Sequence, residues 1–482
     1  MAQNDRCLIR EPQLSKESCI DPLFLSATEL NEKYRVRQLS PVEVTRAALA
    51  RIAKLNPVYN AFCVVDEAAA LASARESEAR WHSGNPLGPA DGVPTTVKDL
   101  ILTKGWPTLR GSRTIDPKQQ WDEDGPPVAR LREQGAIFLG KTTTPEFGWK
   151  GVTDSPLTGV TLNPWDKRLT PGGSSGGAAV AAALGMGTFN VATDGGGSIR
   201  IPASFCGLFG IKPTWGIVPV YPHSPAWTLW HQGPISRTVS DAALMLTLIA
   251  QPDARDWAAG PALGIDYRNN LDAGVKGLRI GYSPTLGYAK VDADVARLVA
   301  LAANEFTRLG ANVEALDLKL DDPIVIMQPL WAVALALAVA PMSPAQRALC
   351  DPGMLELAEP GFTLSAIEYR QLERARDAFG RRMNDLHNQC DLLITPQLAT
   401  TAFAAGHEVP PDSDMKRWWQ WSPFTYPFNL TQQPAATVPC GFAANGLPVA
   451  MQIVGAKFAD ALVLRAARAY ESVHPYALPQ IP

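Results

Sequence analysis

The stretch PGGSSGGAAVAAALGMGTFNVATDGGGS, residues 171–198, is the strongest local signal in this sequence. It holds nine glycines and three serines, and the serines and seven of the glycines are grouped at its two ends. Between the two groups, residues 178–184 predict a helix and residues 188–193 predict a strand. Glycines cluster where the backbone needs positive φ angles or a close approach, and successive free N–H groups can hold a negative charge. The stretch therefore predicts two serine-bearing loops brought together by a helix and a strand; the alternative is a pair of ordinary tight turns.

Helix-like and strand-like segments alternate on both sides of this stretch. Ser40-Pro41-Val42-Glu43 predicts a capping box with proline in the first turn, opening a helix that runs to about Leu55. Periodicity predicts further helices near residues 66–82, 128–133, 292–309, 364–387 and 459–471, and further strands near 93–97, 136–139, 278–282, 312–316, 391–395 and 447–454. Such alternation predicts an α/β fold with both faces of the sheet covered. No repeat or low-complexity linker divides the chain, so one large domain is favoured over three small ones.

Composition and charge argue against several classes of protein. The 482 residues carry 44 Lys and Arg against 47 Asp and Glu, without a basic block, so we expect no nucleic acid and no membrane as partner. Apolar runs such as WAVALALAVAP (331–341) are far shorter than the about 20 residues of a spanning helix, and residues 1–18 lack a signal peptide's apolar run. The seven cysteines are widely spaced, which favours a cytoplasmic protein without disulfide bonds. No HExxH motif, Cys/His cluster or dinucleotide fingerprint is present, so no metal and no cofactor are expected.

Two formal motif matches do not fit their surroundings. Residues 135–142 match the phosphate-loop pattern GxxxxGK[ST], but the variable residues are Ala-Ile-Phe-Leu, which themselves predict a strand. Residues 172–176 match the GxSxG pattern of a nucleophile elbow, but the polar segment NPWDKRLTP precedes them in place of a strand. The six histidines lie in no recognisable catalytic context. A Ser-His-Asp hydrolase is therefore disfavoured, and a serine nucleophile would need another base.

Lys98 is the candidate for that base. It lies in the apolar run GVPTTVKDLIL, residues 92–102, where burial would favour the neutral amine. A neutral lysine can remove a proton from a hydroxyl group. The alternative is a lysine at a strand end whose ammonium group reaches solvent.

These residues together carry a resemblance to a known family. GVPTTVKDL is followed 76 residues after its lysine by the first serine of GGSSGG, and 24 residues later by the serine of DGGGSIR. With SIRIPASFCGLFGIKPTWG (198–216) and PAATVPCGFAANGLPVAMQIVG (434–455), this order resembles the amidase signature family. The resemblance implies a single domain, residues 1–482, with a large mixed β-sheet flanked by helices on both faces. Its expected parts are a helical segment (1–60), a catalytic core (60–250), a variable substrate-side segment (253–424) and a return to the core (425–475).

The resemblance also implies the site residues. Ser198 would be the nucleophile, Ser174 the bridging residue after a cis peptide bond, and Lys98 the base of a Ser-Ser-Lys relay through an acyl-enzyme. The remaining implied residues are the oxyanion donors Gly195, Gly196, Gly197 and Ser198, and the orienting residues Ser175, Thr193, Asp194 and Arg200. Many family members carry a larger residue at the position of Gly195, which implies that this loop has more free space beside it here.

Two kinds of reaction are known in such a family. Amidotransferase subunits, which act on glutamine inside a multi-subunit, tRNA-dependent complex, usually have acidic residues where this chain has Trp230 and Ser422. A free-standing hydrolase, alone or as a homodimer, is therefore favoured, and the amidotransferase subunit is the alternative. The expected partner of the hydrolase is a small-molecule amide, or a carbamate, urea or ester. A hydrophobic or aryl group is expected on it, because tryptophans flank the implied cleft. The candidate wall residues are Trp227, Trp230, Trp418, Trp419 and Trp421, which could equally be core residues.

Overall fold

A mixed β-sheet of eleven strands forms the centre of the computed structural model, which describes residues 21–481. The strands, in chain order and including a separate two-stranded ribbon (β4 and β5), are β1 (Phe62–Val65), β2 (Pro94–Lys98), β3 (Ile137–Thr142), β4 (Asp154–Ser155), β5 (Gly159–Val160), β6 (Phe189–Asp194), β7 (Phe209–Lys212), β8 (His231–Ser236), β9 (Arg279–Tyr282), β10 (Asn312–Ala315), β11 (Leu392–Pro396), β12 (Ala435–Phe442) and β13 (Pro448–Gly455). The order across the sheet is β1-β3-β2-β6-β8-β7-β12-β13-β11-β9-β10. Strands β3, β2 and β6 are parallel, as are β11, β9 and β10, and the remaining pairs are antiparallel.

Helices cover both faces of this sheet. They are α1 (Ala27–Arg35), α2 (Pro41–Tyr59), α3 (Glu67–Ser83), α4 (Pro126–Glu133), α5 (Gly176–Ala183), α6 (Arg200–Cys206), α7 (Val239–Ile249), α8 (Ala293–Arg308), α9 (Ile324–Val339), α10 (Pro344–Arg347), α11 (Pro352–Thr363), α12 (Ala366–Leu386), α13 (Pro427–Leu430) and α14 (Asp460–Glu471). In β3, Phe138 packs in the cluster that includes α7, α8 and α14, whereas Ile137 and Leu139 pack in the cluster of α2, α3 and α5. This alternation is expected of a strand buried on both faces. The α/β fold with a large mixed sheet in one domain is therefore confirmed.

The sequence located the elements that carry strong local signals. The Ser40–Glu43 capping box is present, and α2 continues beyond Leu55 to Tyr59. Every other predicted helix and strand lies within a few residues of its expected position. The predictions missed α9, which reaches the site, and α11, which packs on α9, and also the strands β7, β8 and β12 at the centre of the sheet. The short helices α6, α10 and α13 and the strands β1, β4 and β5 were not predicted either.

Composition predicts no membrane-spanning helix and no disulfide bond, and the structure bears on both expectations for residues 21–481 only. None of the helices formed by residues 21–481 is long and apolar enough to cross a membrane. Five cysteines in this range are free, namely Cys63, Cys206, Cys350, Cys390 and Cys440. Cys7, Cys19, the start of the helical segment 1–60 and the expected lack of a signal peptide fall outside the described residues.

Neither formal motif match has the structure its motif requires. Residues 137–142 are the fully buried strand β3, and Lys141 donates a hydrogen bond from Nζ to the carbonyl of Ile101 (3.0 Å) and pairs with Asp99 (3.2 Å). This lysine therefore anchors a loop inside the fold instead of facing a phosphate. No strand leads into Ser174; the residues just before it form a loop with one isolated bridge at Leu169.

Candidate active site

Two neighbouring parallel strands end at the candidate site. β2 ends at Lys98 and β6 ends at Asp194, and Val97 lies opposite Val191 in their register. The carboxyl ends of parallel strands meet at one edge of a sheet, where α/β proteins place their ligands. The loop 195–198 leaves β6 at this edge, and the serine loop before α5 reaches it from the side. The main-chain N–H of Ser175 joins the two loops by donating to the carbonyl of Ser198 (3.2 Å).

Lys98 lies fully buried among three hydroxyl groups. Its Nζ is 2.7 Å from the Oγ of Ser174, 2.8 Å from the Oγ of Ser175 and 3.0 Å from the Oγ1 of Thr193. The peptide bond between Gly173 and Ser174 is cis, as the resemblance implied. The sequence alternative of a lysine reaching solvent is therefore wrong, because no part of Lys98 is exposed.

The hydrogen bonds around Lys98 fit a neutral amine. The hydroxyl of Ser175 donates to the carbonyl of Thr193 (3.2 Å), so its oxygen accepts from Lys98. The hydroxyl of Ser174 has no other acceptor among residues 21–481, so its proton can point at Nζ. A neutral amine offers two N–H donors and one lone pair, which matches two accepting hydroxyls and one donating hydroxyl.

Burial lowers the pKa of Lys98 well below its ordinary value. The charge of Asp194 acts in the opposite direction and raises the pKa, but it does not offset the loss of solvent. This carboxylate is itself engaged by Arg200, which weakens its pull on Lys98. Burial therefore favours the neutral amine of Lys98, which can accept a proton.

Asp194 holds the glycine loop in shape. Its Oδ1 accepts from the main-chain N–H of Gly197 (2.7 Å) and its Oδ2 from that of Ile199 (3.1 Å). Arg200 closes a bidentate ion pair with both oxygens (3.0 and 2.9 Å). Burial alone would raise the pKa of the Asp194 carboxyl, but the guanidinium beside it holds that pKa below its usual range. Asp194 is therefore a structural carboxylate that orients the loop.

The residues that complete this network were not predicted from the sequence. Arg200 also donates to the side chains of Asn429 (2.6 Å) and Gln452 (2.8 Å) and to the carbonyl of Thr425 (2.9 Å). All three come from the C-terminal part of the chain, more than 200 residues away. The sequence offers Asn429 only as the first residue of the segment NLTQQP, without a role. The signal that could have singled out Gln452 is its polar side chain in an otherwise apolar strand.

The loop presents three main-chain N–H groups without a protein acceptor. Within residues 21–481, those of Gly195, Gly196 and Ser198 make no hydrogen bond, whereas that of Gly197 is taken by Asp194. Of the four residues expected to be oxyanion donors, Gly197 is therefore the one whose N–H is not free, because it fixes the turn. Its φ is 129°, and a Cβ at this position would lie 2.6 Å from Thr425, so only glycine fits there.

The expected free space beside Gly195 is not present. A Cβ on Gly195 would lie 3.0 Å from two ring atoms of Trp331 and 3.3 Å from Trp230. A Cβ on Gly196 would lie 2.7 Å from the ring of Trp418. Tryptophans from α9 and from neighbouring loops therefore fill the space that a larger residue would occupy.

A cavity with aromatic walls lies beside this loop. Its apolar lining includes Leu100, Phe147, Trp230 and Trp331. Leu100 borders the serines, since a Cβ on Gly148 would touch both its Cδ1 (2.9 Å) and the Oγ of Ser174 (3.2 Å). The cavity is therefore the candidate substrate pocket.

Only one of the proposed wall tryptophans lines this cavity. Trp230 does, whereas Trp418 covers Gly196 and packs edge-on against Trp419. Trp421 is fully buried and stacks on Phe205 in the core beneath the site. Trp227 is 39% exposed and packs against His223, which itself lines the cavity. Trp331, which sequence analysis did not single out, is the second indole in the wall.

The histidines near the site are poorly placed to act as bases. Nδ1 of His231 lies 2.9 Å from the carbonyl of Leu229, so this nitrogen carries the proton, and burial lowers the pKa of the ring well below its usual value. His223 faces Asp256 (3.3 Å) outside the serine loops. Among the residues that the structure describes, no group of three His, Cys, Asp or Glu side chains could hold a metal ion.

Comparison with known proteins places this geometry in a family. The family model described as Amidase matches residues 43–464. The chain is 36% identical to an acylamidase of Rhodococcus erythropolis, covering 94% of this chain and 96% of the relative. It is also 36% identical to a glutamyl-tRNA(Gln) amidotransferase subunit of Myxococcus xanthus, covering 94% and 98%.

A solved structure shows the same architecture. The structure of a bacterial aryl acylamidase of the amidase signature family superposes with a TM-score of 0.87 at 30% identity, covering 94% of this chain and 96% of that one. The chain therefore belongs to the amidase signature family and is an enzyme that acts on carbon–nitrogen bonds.

Proposed function

We propose that this chain is a free-standing amidase that hydrolyses a hydrophobic or aryl amide through a Ser198–Ser174–Lys98 relay. The observation that carries the proposal is the buried amine of Lys98 at 2.7 Å from the Oγ of Ser174, at the meeting point of the two glycine loops. Carbamates, ureas and esters with similar side groups fit the same chemistry, because each presents a carbonyl carbon to the serine.

The relay moves one proton in a closed cycle. Neutral Lys98 takes the proton of Ser174, which takes that of Ser198, whose oxygen then bonds to the substrate's carbonyl carbon. The oxyanion is held by the free N–H groups of Gly195, Gly196 and Ser198. As the carbon–nitrogen bond breaks, the proton returns through Ser174 to the leaving nitrogen. Water then cleaves the acyl ester by the same route and restores Ser198.

Several observations support an aryl or apolar substrate. The candidate pocket is walled by Trp230, Trp331 and Phe147, and aromatic walls favour flat apolar groups. The relatives that the chain resembles include an acylamidase and an aryl acylamidase. A small-molecule amide is the proposed partner, with the chain acting alone or as a homodimer; a cytoplasmic location stays a prediction.

The amidotransferase alternative draws on relatives such as the Myxococcus xanthus protein. Against it, Ser422 stands where amidotransferase subunits usually carry aspartate; it is fully buried, and its hydroxyl donates to the carbonyl of Trp418 (3.0 Å). Position 230 holds an indole in place of a small acidic residue. Glutamine would therefore find no carboxylate at these two positions to hold its amino group. Copurification with partner subunits, together with glutaminase activity, would favour the alternative.

Labelling identifies the nucleophile directly. We expect a fluorophosphonate or an aryl carbamate to modify Ser198 and to abolish amidase activity with a stoichiometry of one, because the Oγ of Ser198 lies at the end of the loop that offers the free N–H groups. Peptide mass spectrometry locates the adduct, and Ser198→Ala should remain unlabelled and folded. An adduct on Ser174 or Ser175 would reverse the assignment.

The oxyanion loop can be tested with two glycine substitutions. Gly196→Ala brings a Cβ within 2.7 Å of Trp418, so the loop must shift, and we expect kcat to fall about 10²–10³-fold, as for the loss of one oxyanion donor. Gly380→Ala, in α12, meets nothing within 4 Å and should keep the wild-type kcat. Equal kcat values for the two variants would contradict the proposed role of the loop.

A further inference from the structure

Two polar side chains without protein partners lie in the wall of the cavity, whose other lining residues are mostly apolar. Gln232 and Arg110 both line it, beside Trp230 and Phe147. Neither the amide of Gln232 nor the guanidinium of Arg110 makes a hydrogen bond or ion pair to any side chain or carbonyl of residues 21–481. Buried polar groups are normally satisfied, so the unpaired Oε1 of Gln232 points to a ligand, and the partly exposed guanidinium of Arg110 is free to bind one.

Gln232 marks the inner end of the cavity. It lies opposite Thr193 in the β6–β8 register, and directly opposed residues of an antiparallel pair share a face of the sheet. Thr193 is the residue whose hydroxyl contacts Lys98 at 3.0 Å. Gln232 is only 4% exposed, and its Oε1 has no donor among the described residues. Its amide is therefore placed beside the catalytic groups, where it can pair with the amide of a substrate.

Arg110 marks the outer end. Together with Phe147 it lines both this cavity and a neighbouring one that opens beyond it, so the guanidinium lies at the boundary. The main-chain N–H of Phe147 donates to the carbonyl of Arg110 (2.8 Å), and both residues have positive φ angles (49° and 55°). Local strain of this kind persists where the surroundings enforce a special backbone position.

No carboxylate within residues 21–481 neutralises Arg110 by contact. The charge of Asp99 acts on Arg110 without contact, and Asp99 is paired with Lys141 at 3.2 Å. Asp122 and Glu123 line the neighbouring cavity without an ion pair to Arg110. A partly buried guanidinium without a carboxylate partner is complementary to a carboxylate ligand, which it can bind through two parallel hydrogen bonds.

We propose that the cavity binds amides whose aryl arm ends in a carboxylate, with Arg110 pairing with the carboxylate and Gln232 with the amide. This inference rests on the proposed amidase function and narrows its substrate class. The aromatic walls hold the ring, and the two polar ends fix its direction. An uncharged aryl amide of the same size would leave Arg110 unpaired and would bind more weakly.

Matched substrate pairs test the inference. The first pair is 4-acetamidobenzoate and 4-acetamidobenzamide, which places the charge on the amine side; the second is N-phenylterephthalamate and its carboxamide, which places it on the acyl side. We expect kcat/KM to favour the carboxylate of at least one pair about 10- to 100-fold, the size of a charge-assisted hydrogen bond. Arg110→Gln should reduce that ratio to near one, and Arg110→Lys should retain part of it.

Arg113→Gln is the matched control. Arg113 is exposed, lies three residues further along the same loop and lines neither cavity, so this variant should keep the wild-type ratio. Gln232→Leu should lower kcat/KM for both members of a pair by the same factor. Equal kcat/KM within both pairs, or a preference that survives Arg110→Gln, overturns the inference.

A binding measurement separates this inference from the proposed function. Titration calorimetry of Ser198→Ala with 4-acetamidobenzoate and with N-phenylterephthalamate should give tighter binding than with the carboxamides, and Arg110→Gln should remove the difference. If binding behaves this way while no amide is cleaved by the wild type, the subsite stands and the amidase proposal fails. If neutral aryl amides are cleaved without any preference for carboxylates, the amidase proposal stands and the subsite fails.

Discussion

Lys98→Met is expected to remove nearly all amidase activity while leaving the protein folded. Methionine matches the apolar part of the buried side chain and lacks the terminal amine that contacts Ser174 at 2.7 Å. General-base catalysis contributes about 10²–10⁴-fold to a rate, so kcat/KM for an aryl amide should fall by at least that factor. Hydrolysis of the matching aryl ester should fall less, because its leaving group needs less help from a proton. Initial rates on the amide and ester pair, with circular dichroism as the folding control, measure both effects.

The pH dependence of the wild type follows from the same residue. Only the neutral amine can accept the proton of Ser174, so activity rises as pH passes upward through the pKa of Lys98 and then stays high. Burial lowers that pKa well below the ordinary value of a lysine, so kcat/KM should begin to rise at a lower pH than an ordinary lysine base would allow, and activity should persist in alkaline solution. A histidine base would place the rise near pH ~6.5.

Histidine variants serve as the controls for this assignment. His231 is buried and neutral, and His223 lies outside the serine loops. His231→Ala and His223→Ala should therefore each keep the wild-type pH dependence of kcat/KM on the acid side. A folded histidine variant without turnover, or a Lys98→Met enzyme with near-normal amidase activity, would show that the relay is wrong.

The sequence is informative where the chemistry is local. The two glycine-rich serine loops and Lys98 in its apolar segment stand out in the sequence itself, whereas the roles of Ser198, Ser174, Asp194 and Arg200 are implied by the resemblance to the amidase signature family. The strands β2 and β6 could be placed because each follows a glycine and is rich in the β-branched residues Thr and Val. Parallel neighbours then bring their ends together, which is why Lys98 and Asp194 meet at one edge.

The pocket could not be predicted in the same way. Trp331 reaches Gly195 from α9, and its indole N–H is fixed by the carbonyl of Trp149 (3.1 Å), a contact between residues 182 positions apart. Nearness to motif segments makes five tryptophans candidates for the wall, yet Trp421 packs in the core and only Trp230 lines the cavity. Composition indicates how many aromatic residues exist, but tertiary packing decides which of them face a ligand. Arg110 gives no sequence signal, because an unpaired guanidinium can be recognised only once its neighbours are known.

Asp194→Asn is expected to lower the free energy of unfolding by about 3–5 kcal/mol, the cost of leaving one partner of a buried ion pair without its counter-charge. Asp194 and Arg200 are both fully buried, and the carboxylate accepts hydrogen bonds from the N–H groups of Gly197 and Ile199. The asparagine would leave Arg200 charged and would present an N–H₂ group to donors, so the loop should loosen and kcat should fall with stability. Urea unfolding and steady-state rates measure the two effects.

The exposed pair Asp166–Arg168 provides the matched control, because the same substitution there removes an ion pair of similar length (2.7 Å) that water already screens. Asp166→Asn should cost less than about 1 kcal/mol of unfolding free energy and should leave kcat unchanged.

The pH dependence of stability separates the two sites further. The pKa of Asp194 is held below its usual range, so its charge stabilises the fold above the unfolded value of about 3.9, and this contribution is lost only as pH falls through the lower folded value. The difference in stability between the wild type and Asp194→Asn should therefore be constant from neutral pH down to about pH 4 and should narrow below it; a difference no larger than that of Asp166→Asn at neutral pH would show that the buried pair does not hold the loop.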